Sequence, residues 1–199
     1  MIIIRNNRML RVLIASTLCL LFTSTVIAKE LDGIMMPDNV TIDGTDTAIQ
    51  LNGMGYRTKF VFNIYIGALY TVAKVNTRDA VHALEGPKRI VMHMVYDEVS
   101  KEKMGAAWLE GFQENNSDER FDKLKSRLDS LIGYFPDLTA GDVVLLDYVP
   151  QQGTRVTIND VEKGVISGAD FYQALLDVWL GEEPADEDLK QAMLGLEHE

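Results

Sequence analysis

Cysteine is all but missing from this chain. Its 199 residues hold one, Cys19, inside an apolar N-terminal stretch. Once that stretch is removed no thiol is left to act as a nucleophile or metal ligand, and no disulfide can brace the fold. Histidine is scarce too. His82 and His93 have no neighbouring carboxylate or histidine at metal-ligand spacing, so no metal is expected. Cations are outnumbered, with 19 Lys and Arg against 30 Asp and Glu. This excess of acid speaks against binding nucleic acid or anionic lipid surfaces by charge. No apolar run is long enough for a comfortable membrane span. Walker A, dinucleotide, nucleophile-elbow and metalloprotease fingerprints are all absent, and no cofactor is expected. Internal repeats and Pro-rich linkers are also missing, which leaves one domain as the simple reading.

The N-terminal stretch itself is informative. Arg5, Arg8 and Arg11 precede the apolar core Val12 to Phe22, and Val26-Ile27-Ala28 follows. A basic start, a short apolar core and small residues at the −3 and −1 positions make a secretory signal peptide, residues 1–28, cut after Ala28. The other reading is an uncleaved anchor helix. Cleavage leaves residues 29–199 as one domain. It carries 16 basic and 30 acidic side chains, because three of the 19 basic residues leave with the leader. The expected location is the bacterial periplasm, with no stable membrane insertion after the leader is gone.

Patterning then suggests the elements. Val40 to Ile42 and Ala48 to Leu51 read as short strands around the polar turn Asp43-Gly44-Thr45-Asp46. Tyr56 to Tyr70 reads as one long strand region, rich in β-branched and aromatic residues. Thr77 to Leu84 forms a short helix that Gly86-Pro87 ends. Arg89 to Tyr96 alternates, with Ile90, Met92, Met94 and Tyr96 on one face. Ser100 and Ser117 are placed to cap two helices. Met104, Trp108 and Phe112 form a stripe on the first; Phe121, Leu124, Leu128, Leu131 and Phe135 form one on the second. Strands follow at Asp142 to Val149, Thr154 to Ile158 and Gly164 to Ile166, then a helix from Ala169 to Leu180 and a last short one. Strands with little helix between them pair antiparallel, and helices then cover one face. The expected class is α+β, a curved antiparallel sheet backed by a helical layer.

Arg57 is the residue to explain. It stands near the start of the apolar run LNGMGYRTKFVFNIYIGALY, with Gly53 and Gly55 before it and no acid between Met54 and Tyr70. An unpaired buried charge is too costly to keep without a purpose. A guanidinium presents a planar fork that matches a carboxylate in two parallel hydrogen bonds. Glycines just upstream let a chain or a ligand approach closely. On a continuous strand Tyr65 shares parity with Arg57, so both point to one face. Tyr96 is a candidate for the rim. Phe62, Met94, Met104, Trp108 and Phe112 are candidates for an apolar pocket wall, although most of them read equally well as core. The acidic run Glu182 to Asp188 reads as a solvated turn and helix start.

The G-x-R-x-K-F strand, together with SGADFYQALLDVWLGEEPADEDLKQAMLG and its W-L-G-x-x-P helix end, resembles the chalcone isomerase-like family, and more narrowly its exported bacterial branch. The likeness runs from about Met36 to Leu196. It implies an open-faced β-sandwich, a long antiparallel sheet under helices. It places on Arg57 the arginine that holds an oxyanion in the isomerases and a fatty-acid carboxylate in non-catalytic relatives. Tyr65 falls near the second strand position. The slots of the catalytic tyrosine and asparagine fall on Val99 and Ala106. The resemblance therefore implies an exported, non-catalytic binding protein for a fatty acid or similar amphipathic carboxylate. Two alternatives stay open: an isomerase or intramolecular lyase acting on a chalcone-like or enolate-forming substrate, and a structural module without ligand. No catalytic residue and no protein partner is assigned.

Overall fold

The structure is a computed structural model and describes residues 28–196. The predicted leader lies outside the described residues, except for Ala28. That residue opens a short hairpin, β1 (Ala28–Leu31) with β2 (Ile34–Pro37).

The frame is a curled seven-stranded antiparallel sheet. In chain order its strands are β3 (Asn39–Thr41), β4 (Ala48–Lys59), β5 (Phe62–Thr71), β6 (Lys88–Met94), β9 (Val143–Val149), β10 (Gly153–Ile158) and β11 (Val161–Ile166). In space they run β11-β10-β9-β6-β5-β4-β3. Two tiny strands, β7 (Glu98–Val99) and β8 (Leu138–Thr139), pair beside it.

The helices are α1 (Arg78–Ala83), α2 (Lys101–Glu114), α3 (Asp118–Gly133), α4 (Ala169–Leu180) and α5 (Glu187–Met193). Thr77, Ser100, Ser117 and Asp186 each cap the following helix by accepting a backbone N–H three residues on. The two expected serine caps are thus both in place.

The sheet buries both faces. Ile90, Met92, Met94, Val144 and Leu146 face α2, α3 and α4, where Trp108, Phe112, Leu128, Phe171 and Trp179 fill the main core. Val91, Ile66, Tyr70, Ile49 and Leu51 face the other way into a smaller core with Met36 of β2. The Tyr70 hydroxyl donates to the Pro37 carbonyl at 2.9 Å and holds the N-terminal hairpin to that face. Met104, Trp108 and Phe112 of α2 and Leu124, Leu128 and Leu131 of α3 answer the helical period, α4 is buried nearly all round, and period-two alternation sorts β6 and β9 between the two cores.

One expectation fails here. Tyr56 to Tyr70 is not one strand but a hairpin that turns at Phe60-Val61. Phe60 takes φ +59, and both turn residues are about as exposed as side chains become, 90% and 84%. Tight hairpin turns favour Gly, Asn or Asp at positive φ. Two apolar residues at the tip carry no such signal, so the run reads as continuous.

Candidate functional site

Because the chain folds back, Arg57 and Tyr65 are direct cross-strand partners of β4 and β5. They share a face through pairing across the hairpin, not through parity along one strand. That face looks towards the helices. Tyr65 is buried in the main core, and its hydroxyl accepts from Trp179 Nε1 at 2.8 Å. Among the described residues the Tyr65 proton has no acceptor of its own. Burial pushes the Tyr65 phenol up to about 12; the Trp179 hydrogen bond and the Arg57 charge only partly offset this. It is a proton-bearing donor at neutral pH.

Arg57 keeps 19% of its side chain exposed and donates to its neighbour's carbonyl, Thr58 O. Its anionic partner comes from the far end of the sequence. Asp186 Oδ2 stands 3.8 Å from Arg57 Nη1, longer than a hydrogen bond. Asp186 is already occupied. Its Oδ2 accepts the Thr58 N–H at 2.8 Å, and its Oδ1 accepts the Leu189 N–H at 3.0 Å as the cap of α5. The acidic run is not solvated throughout, because the Asp186 side chain is only 11% exposed. The missed signal was local: an Asp three residues before Leu189, ahead of Glu187 and Asp188, is a helix N-cap.

The glycines upstream of Arg57 are explained by α5. A Cβ on Gly53 would sit 2.0 Å from the Ala192 carbonyl oxygen, and one on Gly55 would sit 2.6 Å from the Ala192 Cβ. The close approach foreseen for these glycines is therefore made by a helix. Asn52 secures the other end of α5, donating to Met193 O and Val75 O, each at 2.8 Å, and accepting the Val75 N–H at 2.9 Å. So α5 is strapped over β4 at both ends, by Asp186 and by Asn52.

The remaining candidates divide. Tyr96 lies past the end of β6 and packs against Phe62, with ring centroids 5.6 Å apart. Phe62 itself is 53% exposed, because it follows the hairpin turn and cannot reach the interior as a pocket wall would. Met94, Met104, Trp108 and Phe112 are all buried in the main core. Trp108 stacks edge-on against Trp179 at 5.5 Å, and its Nε1 is a buried donor with no partner. Val99 is half-buried on β7, and Ala106 is exposed on the outer side of α2. His93 is half-buried, and burial lowers its pKa. His82 instead joins Arg78 on the buried Asp177: His82 Nε2 lies 2.8 Å from Oδ1, and Arg78 grips both oxygens at 2.8 and 3.0 Å. Two cavities, of about 550 and 490 Å³, lie among the described residues, and neither is lined by Arg57, Tyr65 or Tyr96.

A family model described as chalcone isomerase-like matches residues 28–195. A search of curated proteins finds no match. Among solved structures, the chain is similar to a fatty-acid binding protein of Arabidopsis thaliana, with a TM-score of 0.61 and 16% identity, over 84% of this chain and 95% of that one.

Proposed function

The chain belongs to the chalcone isomerase-like family, and from that premise we propose that it is an exported binding protein for a fatty acid or similar amphipathic carboxylate, held by Arg57 and Tyr65. The observation that carries this reading is the Arg57–Tyr65 pair. A loosely held guanidinium, reachable from solvent, stands opposite a phenol with a proton to give. That is a donor set for one carboxylate. Fatty-acid binding by the Arabidopsis protein of the same fold is consistent with it.

The tail runs between β5–β6 and α2. Met94, Met104 and Trp108 fill that space in the structure, so the tail enters by displacing them. Methionine side chains move aside at low cost. Burying about ten methylenes returns roughly 8 kcal/mol, and a charged hydrogen-bonded head adds about 1.5–3 kcal/mol. Against association costs of about 4–15 kcal/mol, affinity spans negligible to micromolar or better.

Titration with a fluorescent fatty acid tests the site. Arg57→Met is expected to keep the fold, judged by its thermal melt, and to lose binding. Unchanged affinity would move the head group elsewhere. A second reading has its own support: the filled core and the α5 strap describe a closed structural module. Its signature is the absence of saturable binding to the unaltered protein. Export follows from the leader, and N-terminal sequencing of protein from its own host is expected to begin at Lys29; a membrane-held form beginning at Met1 would refute it.

A further inference from the structure

The cavity of about 550 Å³ lies at the other end of β6, under the last turn of α1 and the first of α4. Lys88, Tyr148, Leu84, Tyr172, Gln173 and Leu176 are among its walls. Lys88 and Met94 are the first and last residues of β6, so this cavity is about 20 Å of strand away from the Arg57–Tyr65 pair.

Lys88 is the unusual wall residue. It is 6% exposed, and no carboxylate pairs with it among the described residues. Its Nζ donates to the Leu84 carbonyl at 2.5 Å and lies 5.6 Å from the centre of the Tyr148 ring. An ammonium has three donors, and one carbonyl uses one of them. Burial alone pushes the amine's pKa down, with nothing opposing it. Every other deeply buried charge among the described residues has an ionic partner: Asp147 has Arg89, and Asp177 has Arg78 and His82.

The rest of the lining narrows the class of partner. The Tyr148 and Tyr172 rings pack together at 5.1 Å and form an aromatic wall. Leu84, Leu176, Ala83, Ala169 and Pro150 add apolar surface. The side-chain amide of Gln173 and the Tyr148 hydroxyl make no hydrogen bond among the described residues. Glu85, on the rim, disfavours a multiply charged guest. The volume falls in the range of small-molecule sites.

We propose that this cavity is a second binding site, for a small aromatic monocarboxylate whose head pairs with Lys88 and whose ring lies against Tyr148. It is independent of the Arg57–Tyr65 site. The test is fluorescence titration of the purified protein with 2-naphthoate, with neutral 2-naphthamide and inorganic phosphate as comparison probes. Saturable naphthoate binding is expected to persist in Arg57→Met, in which the other carboxylate site is disabled, and to weaken at least about tenfold when Lys88→Met is added. Naphthamide and phosphate are expected to bind at least about tenfold more weakly than naphthoate. Should Lys88→Met fail to fold, Gln173→Trp, which fills the mouth from an exposed position on α4, is expected to lose naphthoate as well. No saturable binding, or undiminished binding when Lys88→Met and Gln173→Trp are each added to Arg57→Met, overturns the proposal. Loss confined to Arg57→Met also overturns it, and assigns the aromatic carboxylate to the Arg57–Tyr65 site instead.

Discussion

Two arginines of the same sheet, on strands separated by β5, meet their acids in very different ways. On the face away from the helices, Arg89 of β6 stands directly opposite Asp147 of β9. Its Nε and one Nη reach the two carboxylate oxygens at 2.5 and 2.7 Å, and the Asp147 side chain is 3% exposed. On the helical face, Arg57 of β4 has only the 3.8 Å approach of Asp186. Asp147 reaches Arg89 from the adjacent strand and, among the described residues, its side chain makes no other hydrogen bond, whereas Asp186 is held by two backbone N–H groups. A carboxylate committed to one guanidinium forms a bidentate fork, whereas one shared with backbone donors cannot turn to face it. The first arrangement is a lock. The second leaves most of a guanidinium's donors uncommitted beside a phenol.

The contrast is broken most severely from the locked side. Asp147→Ala leaves Arg89 buried and unpaired, and burial already works against its charge until the Asp147 hydrogen bonds outweigh it. Removing one partner of a buried pair costs about 3–5 kcal/mol. Urea unfolding is expected to show a loss of that size, with no comparable loss in Arg57→Met. A loss below about 1 kcal/mol would mean that the two pairs do not differ as their geometry says.

A smaller effect is expected from the glycines under α5. In Gly53→Ala the new methyl meets the Ala192 carbonyl oxygen, a backbone atom that cannot rotate away. Overpacking of this kind costs roughly 1–3 kcal/mol. Because α5 is short and the new methyl strikes it between its hydrogen-bonded anchors at Asp186 and Asn52, the strain is expected to appear as faster hydrogen exchange in α5 while β6 and β9 stay protected. Uniform exchange across the sheet would show α5 to be part of the global core and not a strap over it.

Much of this was legible in the residues. The α+β class, the capped helices and the two faces of β6 follow from periodicity and from Ser100 and Ser117. Arg57 stood out because an acid-free apolar run surrounded it. Other features were hidden for physical reasons. The Phe60-Val61 turn has no turn chemistry, so a hairpin looked like a strand. Gly53 and Gly55 serve a helix more than 130 residues away, and sequence distance conceals that service. Asp186 is one acid among five in Glu182 to Asp188 by composition alone, and only its position before α5 sets it apart. Lys88 carries no sequence signal of its burial, because a lysine at the start of a strand ordinarily reaches water.

The smallest expected effect is also the most diagnostic of how the two acids differ. Asp186→Asn keeps an N-cap of similar quality, since Asn and Asp rank together at that position. The Leu189 N–H still has an acceptor, but the amide NH2 replaces the oxygen that accepts the Thr58 N–H, so α5 is expected to stay docked through Asn52 with a loss of about 1 kcal/mol. What changes is the charge facing Arg57. The native carboxylate neutralises part of the guanidinium and repels an incoming anion. Its removal does the opposite on both counts. If Arg57 and Tyr65 hold a carboxylate head, fatty-acid affinity is expected to rise, by about fivefold for roughly 1 kcal/mol of relieved competition near the surface. The rise should shrink as salt is added, because the guanidinium is partly exposed. The corresponding change on the locked side, Asp147→Asn, has no reason to alter affinity. A fall in affinity in Asp186→Asn would mean that the acid helps to orient Arg57 rather than competing for it. No binding in either protein would leave Arg57, Asp186 and α5 as parts of one structural clasp.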